Sequence, residues 1–205
     1  DDGLIHISKD GGYTWTKISD ALPQNLWISR VVASSHNEAV VYASLNGYRD
    51  DNFKPYLYVS TDYGQSWQPI GADLPTEPIN VVREDPKNAS ILYVGTDNGV
   101  YVSLNQGKTF MRMNGGLPAV AVHDLIVHSR DNELVVGTHG RSIYIGDVSL
   151  IQQLVDTLTS KEVHLFALKP LNYAPNWGRM FDKYSEPRIQ KYEISFYTKA
   201  SGKSS

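Results

Sequence analysis

Two adjacent carboxylates offer the first chemistry. Asp50 and Asp51 stand in Asn46-Gly47-Tyr48-Arg49-Asp50-Asp51-Asn52-Phe53-Lys54-Pro55, a stretch that also carries cations and aromatics. Neighbouring carboxylates suit a general base with its orienter, or oxygen ligands to a hard cation. A solvated surface loop is the plainer alternative. His139-Gly140-Arg141 is a second candidate. There a turn glycine lets Arg141 clamp a carboxylate or phosphate bidentately. The alternative gives Arg141 to nearby carbonyls and His139 to the turn itself. His123-Asp124 is a third, either a structural pair or a catalytic one with Asp124 as the acid. Asp97 and Arg49 add polar groups. Trp27 and Trp177 add flat faces that stack on a ring or pack in a core.

Composition narrows what such residues can be for. The chain has 205 residues, 19 Lys and Arg, 22 Asp and Glu, and a net charge of −3. So weak a field does not favour nucleic acid or anionic lipid as a partner. No window approaches the roughly 18 uninterrupted apolar residues of a spanning helix. The lack of cysteine removes disulfides, thiol catalysis and thiolate-held zinc, and leaves the compartment open. No nucleophile elbow, H-E-x-x-H helix or phosphate loop is present, so neither cofactor nor metal is expected.

The elements that must position these residues are strands, as 13 Tyr, 4 Trp and 16 Gly suggest. An octapeptide recurs: Ser8-Lys9-Asp10-Gly11-Gly12-Tyr13-Thr14-Trp15, then Ser60-Thr61-Asp62-Tyr63-Gly64-Gln65-Ser66-Trp67, then Ser103-Leu104-Asn105-Gln106-Gly107-Lys108-Thr109-Phe110. Leu22-Pro23, Leu74-Pro75 and Leu117-Pro118 keep the same beat. Each box follows a short alternating strand and precedes another, so it reads as a hairpin turn. Its Asp or Asn accepts hydrogen bonds from the turn's own N–H groups, and its Gly supplies a positive φ. The closing aromatic packs beneath the loop. The D-x-G core lacks the further carboxylates and closing Glu of a calcium loop. About four strands per repeat of roughly 40–50 residues predict blades of a β-propeller.

The three boxes resemble the Asp-box (BNR) repeats of sialidases, xyloglucan-degrading glycosidases and sortilin-type receptor propellers. Val135-Val136-Gly137-Thr138-His139-Gly140-Arg141-Ser142-Ile143-Tyr144 is similar to bacterial sortilin-like propellers often described as glycosyl hydrolases. The resemblance spans about residues 1–168. It implies an all-β chain holding part of a propeller, with structural roles for Ser8, Asp10, Gly12, Trp15, Ser60, Asp62, Gly64, Trp67, Ser103, Asn105, Gly107 and Phe110.

The expected plan is a partial blade over 1–23, blades over 24–75, 76–118 and 119–168, a linker over 169–189, and a truncated β domain or tail strand over 190–205. In the last blade no box appears. An amphipathic helix over Ser149–Leu158 takes its place before Lys161–Leu168 returns as a strand. Three and a half blades fall short of closure, so the chain is expected to be the C-terminal part of a larger propeller. Its open edges are expected to self-associate edge to edge.

If strands run from the inside outwards, the boxes share one rim and the 2–3 loops share the other with the crossovers. That second rim then holds Trp27, Arg49, Asp50, Asp51, Asp97, His123, His139 and Arg141. The resemblance implies an exported protein, extracellular or periplasmic, with a leader upstream of residue 1. Its ligand there is a carbohydrate or peptide, held by a noncatalytic scaffold. The alternative is a glycoside hydrolase whose site is shared with other blades. Sialidase-like chemistry needs an arginine cluster, for which Arg30, Arg49, Arg83 and Arg141, spread over three blades, are the candidates. An inverting hydrolase needs two carboxylates about 6.5–9.5 Å apart, for which Asp50 or Asp51 with Asp97 or Asp124 are the candidates.

Overall fold

A computed structural model describes residues 3–154, 156–168, 170, 175, 177–180, 183–184 and 193–199. Contacts divide the chain into one compact unit ending at Gln153 and a second beginning at Leu154.

The first unit is a succession of small antiparallel sheets, each laid down in chain order. β1 (His6–Ile7) pairs with β2 (Thr16–Lys17). β3 (Trp27–Ala33), β4 (Val41–Gly47), β5 (Asn52–Ser60) and β6 (Gln68–Pro69) form the next sheet. β7 (Ile79–Glu84), β8 (Leu92–Thr96), β9 (Gly99–Ser103) and β10 (Met111–Arg112) form the third. β11 (Val122–His128), β12 (Glu133–Thr138) and β13 (Ile143–Asp147) form a fourth, of three strands among the described residues. The first strands β3, β7 and β11 lie side by side across the sheets. This is the arrangement of propeller blades, and the all-β expectation holds.

Apolar residues from consecutive sheets meet face to face. Leu45 and Ala43 pack with Ile5 and Leu22 between the first and second sheets. Tyr42 and Leu57 pack with Ile79, Val82 and Val94 between the second and third. Val81 and Tyr93 pack with Val122, Leu125 and Val136 between the third and fourth. All five residues of β8 are buried, since sheets cover both of its faces. Buried Asp85 closes the neighbouring turn by accepting the amides of Lys87 and Asn88 at 2.8 and 3.1 Å. Its other oxygen takes the Tyr93 hydroxyl at 3.2 Å and the Gln152 amide at 2.9 Å. Burial, reinforced by that carboxylate, pushes the Tyr93 hydroxyl well above the usual tyrosine range.

The boxes are the β1–β2, β5–β6 and β9–β10 turns. In the second, the Ser60 hydroxyl donates to Asp62 Oδ1 at 2.7 Å and accepts the Gly64 amide at 2.8 Å. Asp62 then accepts the Ser66 amide and hydroxyl at 2.9 and 2.6 Å. The first box repeats every one of these bonds through Ser8, Asp10, Gly12 and Thr14. In the third, Asn105 accepts the Thr109 amide but reverses the side-chain bond, donating from Nδ2 to the Thr109 hydroxyl at 2.8 Å.

The closing aromatic goes beyond the expected packing under its own loop. Trp67 Nε1 donates to the Ile18 carbonyl of the preceding sheet at 2.7 Å. The glycines of the second and third boxes each face the sheet before their own. A Cβ on Gly107 would lie 2.6 Å from Ile70 Cδ1, and one on Gly64 would collide with Ile18.

Beyond β13 the structure departs from the expected plan. The helix expected over Ser149–Leu158 is a 3-10 turn at Ile151–Gln153 and a four-residue helix α1 (Asp156–Thr159). The strand expected within Lys161–Leu168 is β14 (Val163–Leu165). It pairs with β15 (Phe196–Thr198). These last elements make up the second unit. Residues 190–192, where the tail strand was expected to begin, and most of the 169–189 linker lie outside the described residues.

Candidate functional site

The pairings of β3 with β4, β7 with β8 and β11 with β12 share one irregularity. Register shifts by a residue between Ile28 and Arg30, between Ile79 and Val81, and between Val122 and Asp124. The skipped residues are Ser29, Asn80 and His123. A bulge re-aims its side chain, and here three first strands carry one near the same end. The Ser29 hydroxyl reaches across to the Ile79 carbonyl at 2.7 Å and meets Ser44 Oγ at 2.8 Å. Asn46 Nδ2 donates to Asn80 Oδ1 at 3.1 Å, and Asn80 Nδ2 donates to Asp97 Oδ1 at 2.9 Å. The His123 ring lies 5.2 Å from the His139 ring. A polar seam therefore follows the rim formed by the 2–3 loops.

The crossovers meet those loops on this rim. The His139 amide donates to the Ala121 carbonyl at 2.9 Å. At the second blade, crossover residues Gln24–Trp27 and loop residues Asn46, Gly47, Arg49 and Asp50 line a cleft of about 510 Å3. That volume lies within the ordinary range of small-molecule sites. The Arg49 guanidinium sits over the Trp27 ring at 4.6 Å from its centroid. Residues Tyr48–Asp50 form a 3-10 turn, and Asp51 ends it in the left-handed region at φ 53° with its amide on the Tyr48 carbonyl at 3.2 Å.

Of the expected site residues, Trp27, Arg49 and Asp50 converge on the cleft, and Asn46 ties it to Asp97 through Asn80. Asp51 is the terminal residue of the turn and does not line the cleft. His123 and His139 face each other farther along. Asp124 stands among arginines: its Oδ1 accepts Arg30 at 2.8 Å, Arg83 at 3.4 Å and the Leu125 amide at 3.0 Å. Arg83 Nε also donates to the Leu125 carbonyl at 2.7 Å, so three first strands are cross-tied there. Arg141 is exposed beside these loops, and Trp177 belongs to the second unit. Sequence reasoning placed Asn46 at the start of the rim loop but missed Asn80. Its only signal was a polar residue at the loop-ward end of the apolar run Ile79–Val82.

Residues 6–17 and 58–69 match the BNR/Asp-box repeat. The oligoxyloglucan-reducing end-specific xyloglucanase of Emericella nidulans is 28% identical over 162 residues, covering 69% of this chain and 19% of that protein. Among solved structures, a GH74 enzyme of Niastella koreensis superposes with a TM-score of 0.58 at 17% identity, over 72% of this chain and 25% of its own. An ancestral GH74 enzyme gives 0.52 at 22% identity, over 66% and 19%. YCF48 from Cyanidioschyzon merolae gives 0.54 at 11% identity, over 70% and 44%. The chain thus spans about a fifth of the xyloglucanase and less than half of each structure. It carries Asp-box repeats on propeller blades related to those of glycoside hydrolases.

Proposed function

We propose that this chain is a glycan-binding part of an exported, glycoside-hydrolase-related propeller, and that an oligosaccharide of the xyloglucan type occupies the Trp27 cleft. The observation carrying this reading is the joining of Trp27, Arg49, Asp50 and Asn46 in one cleft. A pyranose presents an apolar face that stacks on an aromatic ring and an equator of hydroxyls that needs donors and acceptors. Trp27 supplies the face. Gln24, its side-chain nitrogen held by the Ser19 and Leu22 carbonyls, and Asp50 supply acceptors, and Arg49 swings from the indole to donate. The partial identity with a xyloglucanase supports the choice of sugar class.

A second reading has Asp50 as one of two hydrolytic carboxylates, because it lines the cleft and no side chain among the described residues bonds to it. Asp124, already holding three donors, is the weaker choice. Isothermal titration with xyloglucan oligosaccharides, alongside reducing-sugar release, separates these readings. Binding that falls at least tenfold in Trp27→Ala, without turnover, supports the module. Hydrolysis abolished by Asp50→Asn supports the enzyme, and absence of binding and turnover refutes both.

A further inference from the structure

Each bulged first strand sets a polar pair near the loop-ward end of its sheet, and in the fourth sheet the pair is unlike the others. In the second sheet the bulged Ser29 meets Ser44 of the neighbouring strand at 2.8 Å. In the third, the bulged Asn80 holds Asp97 of its own 2–3 loop at 2.9 Å. Both pairs are closed by a hydrogen bond. In the fourth, the bulged His123 meets His139 of its own loop ring to ring, with centroids 5.2 Å apart and planes at 45°. Neither ring has a hydrogen-bond partner among the described residues. The tilt is neither offset stacking nor an edge-to-face contact, so ring packing does not account for the approach.

Backbone contacts set this spacing. The register shift between Val122 and Asp124 throws His123 out of the β11–β12 ladder. The His139 amide bonds to the Ala121 carbonyl at 2.9 Å, which ties the loop to the start of the strand that carries His123. Gly140 and Ser142, at φ 71 and 76°, turn the chain back, and the Thr138 amide donates to the Ser142 carbonyl at 3.3 Å. Both histidines are exposed on the rim. Asp124, the carboxylate next in sequence, is committed to Arg30 and Arg83.

We propose that His123 and His139 together chelate one divalent transition-metal ion, of the nickel or copper class, on the loop rim. A neutral imidazole keeps one unprotonated ring nitrogen, whose lone pair such a metal takes. An ion about 2.1 Å from a ring nitrogen lies about 3.2 Å from that ring's centre, so two rings on one ion stand about 4.6–5.3 Å apart at octahedral to tetrahedral angles. The observed spacing falls in that window, so chelation needs no movement of the backbone. Imidazole nitrogen suits nickel, copper and zinc, whereas magnesium and calcium take oxygen, and affinity peaks at copper. Among the described residues no third His, Asp or Glu joins the pair, so water takes the remaining positions.

Isothermal titration of the tag-free 205-residue chain with nickel chloride is the test. The expected result is one site stronger than any other, weakened at least tenfold by His123→Asn and equally by His139→Asn, with far-UV circular dichroism unchanged. The double variant is expected to lose no more than either single one, because one imidazole does not chelate. His128→Asn, which removes the ring paired with Asp131 at 3.1 Å, is expected to leave the site intact. If a variant perturbs the fold, NMR of the wild-type chain gives an independent readout. Substoichiometric nickel should broaden the His123 and His139 ring signals together, before those of the other histidines. Broadening that begins at other histidines overturns the proposal. So does a strongest site insensitive to both substitutions, or a wild type that binds nickel no better than the double variant.

Discussion

The indole of Trp67 is bonded to the carbonyl of Ile18, 2.7 Å away in the preceding sheet. The Asp box is therefore a pin between blades as well as a turn within one. Trp67 is half-buried among Ile18 and its neighbours, whereas Trp15 is 63% exposed and bonds only within its own turn, to Gly12. Trp67→Ala is expected to cost about 2–3 kcal/mol, somewhat below a fully buried aromatic. Trp67→Phe is expected to cost about 1 kcal/mol for the lost hydrogen bond. Trp15→Ala is expected to cost less than about 1 kcal/mol, since little of the ring leaves water on folding. Urea unfolding of the three variants checks the ranking.

The box glycines rank in the same way. Gly12, Gly64 and Gly107 all have φ between 82 and 97°. Left-handed strain for a non-glycine residue is about 1–2 kcal/mol and applies to each. Only Gly64 and Gly107 also press against an isoleucine of the preceding sheet, while the nearest atom to a Cβ on Gly12 is 3.9 Å away. Thermal melts should place Gly107→Ala below Gly12→Ala.

Acid should act on two boxes and spare the third. Hydrogen bonds from Thr14 and Ser8 hold the Asp10 carboxyl down at about 2, and those from Ser66 and Ser60 do the same for Asp62. A carboxyl with a lowered folded value stabilises the fold above its ordinary value, near 3.8, and loses that contribution as pH falls through about 2. Asn105 does not titrate. Amide exchange between pH 4 and pH 2 should therefore deprotect Thr14 and Ser66 while Thr109, held by Asn105 at 2.9 Å, stays protected.

Asp124→Asn is expected to change stability by no more than about 1 kcal/mol, because its side chain is 60% exposed and its pairs with Arg30 and Arg83 are solvent-screened. Glycan affinity at the Trp27 cleft should not move. A loss of turnover in this variant, were turnover found, would return Asp124 to the candidate acids.

What could be read from the residues was local. Ser60, Asp62, Gly64 and Ser66 sit within seven positions, and their bonds follow from type and spacing. The rim order of the loops also followed, since strand counting alone assigns Asn46 and His139 to one end. Contacts across sheets were illegible. Nothing near Trp67 points to Ile18, and nothing near Asp124 points to Arg30 or Arg83, since those separations are set by how blades pack. The bulge at His123 explains the other misreading. It sends His123 towards His139 and leaves Asp124 to the arginines, so two adjacent residues expected to act together serve different partners. The strand at Val163–Leu165 was found, but its partner at Phe196–Thr198 lies too far along the chain for pattern to reveal.

The most direct measurement follows the tryptophan indole N–H signals by NMR as xyloglucan oligosaccharides are added. With the chain's 4 Trp assigned by substitution, the Trp27 signal should shift and saturate with added sugar, and the Trp67 signal should stay fixed by its bond to Ile18. A Trp27 signal that does not move while another indole does would contradict the cleft as the glycan site.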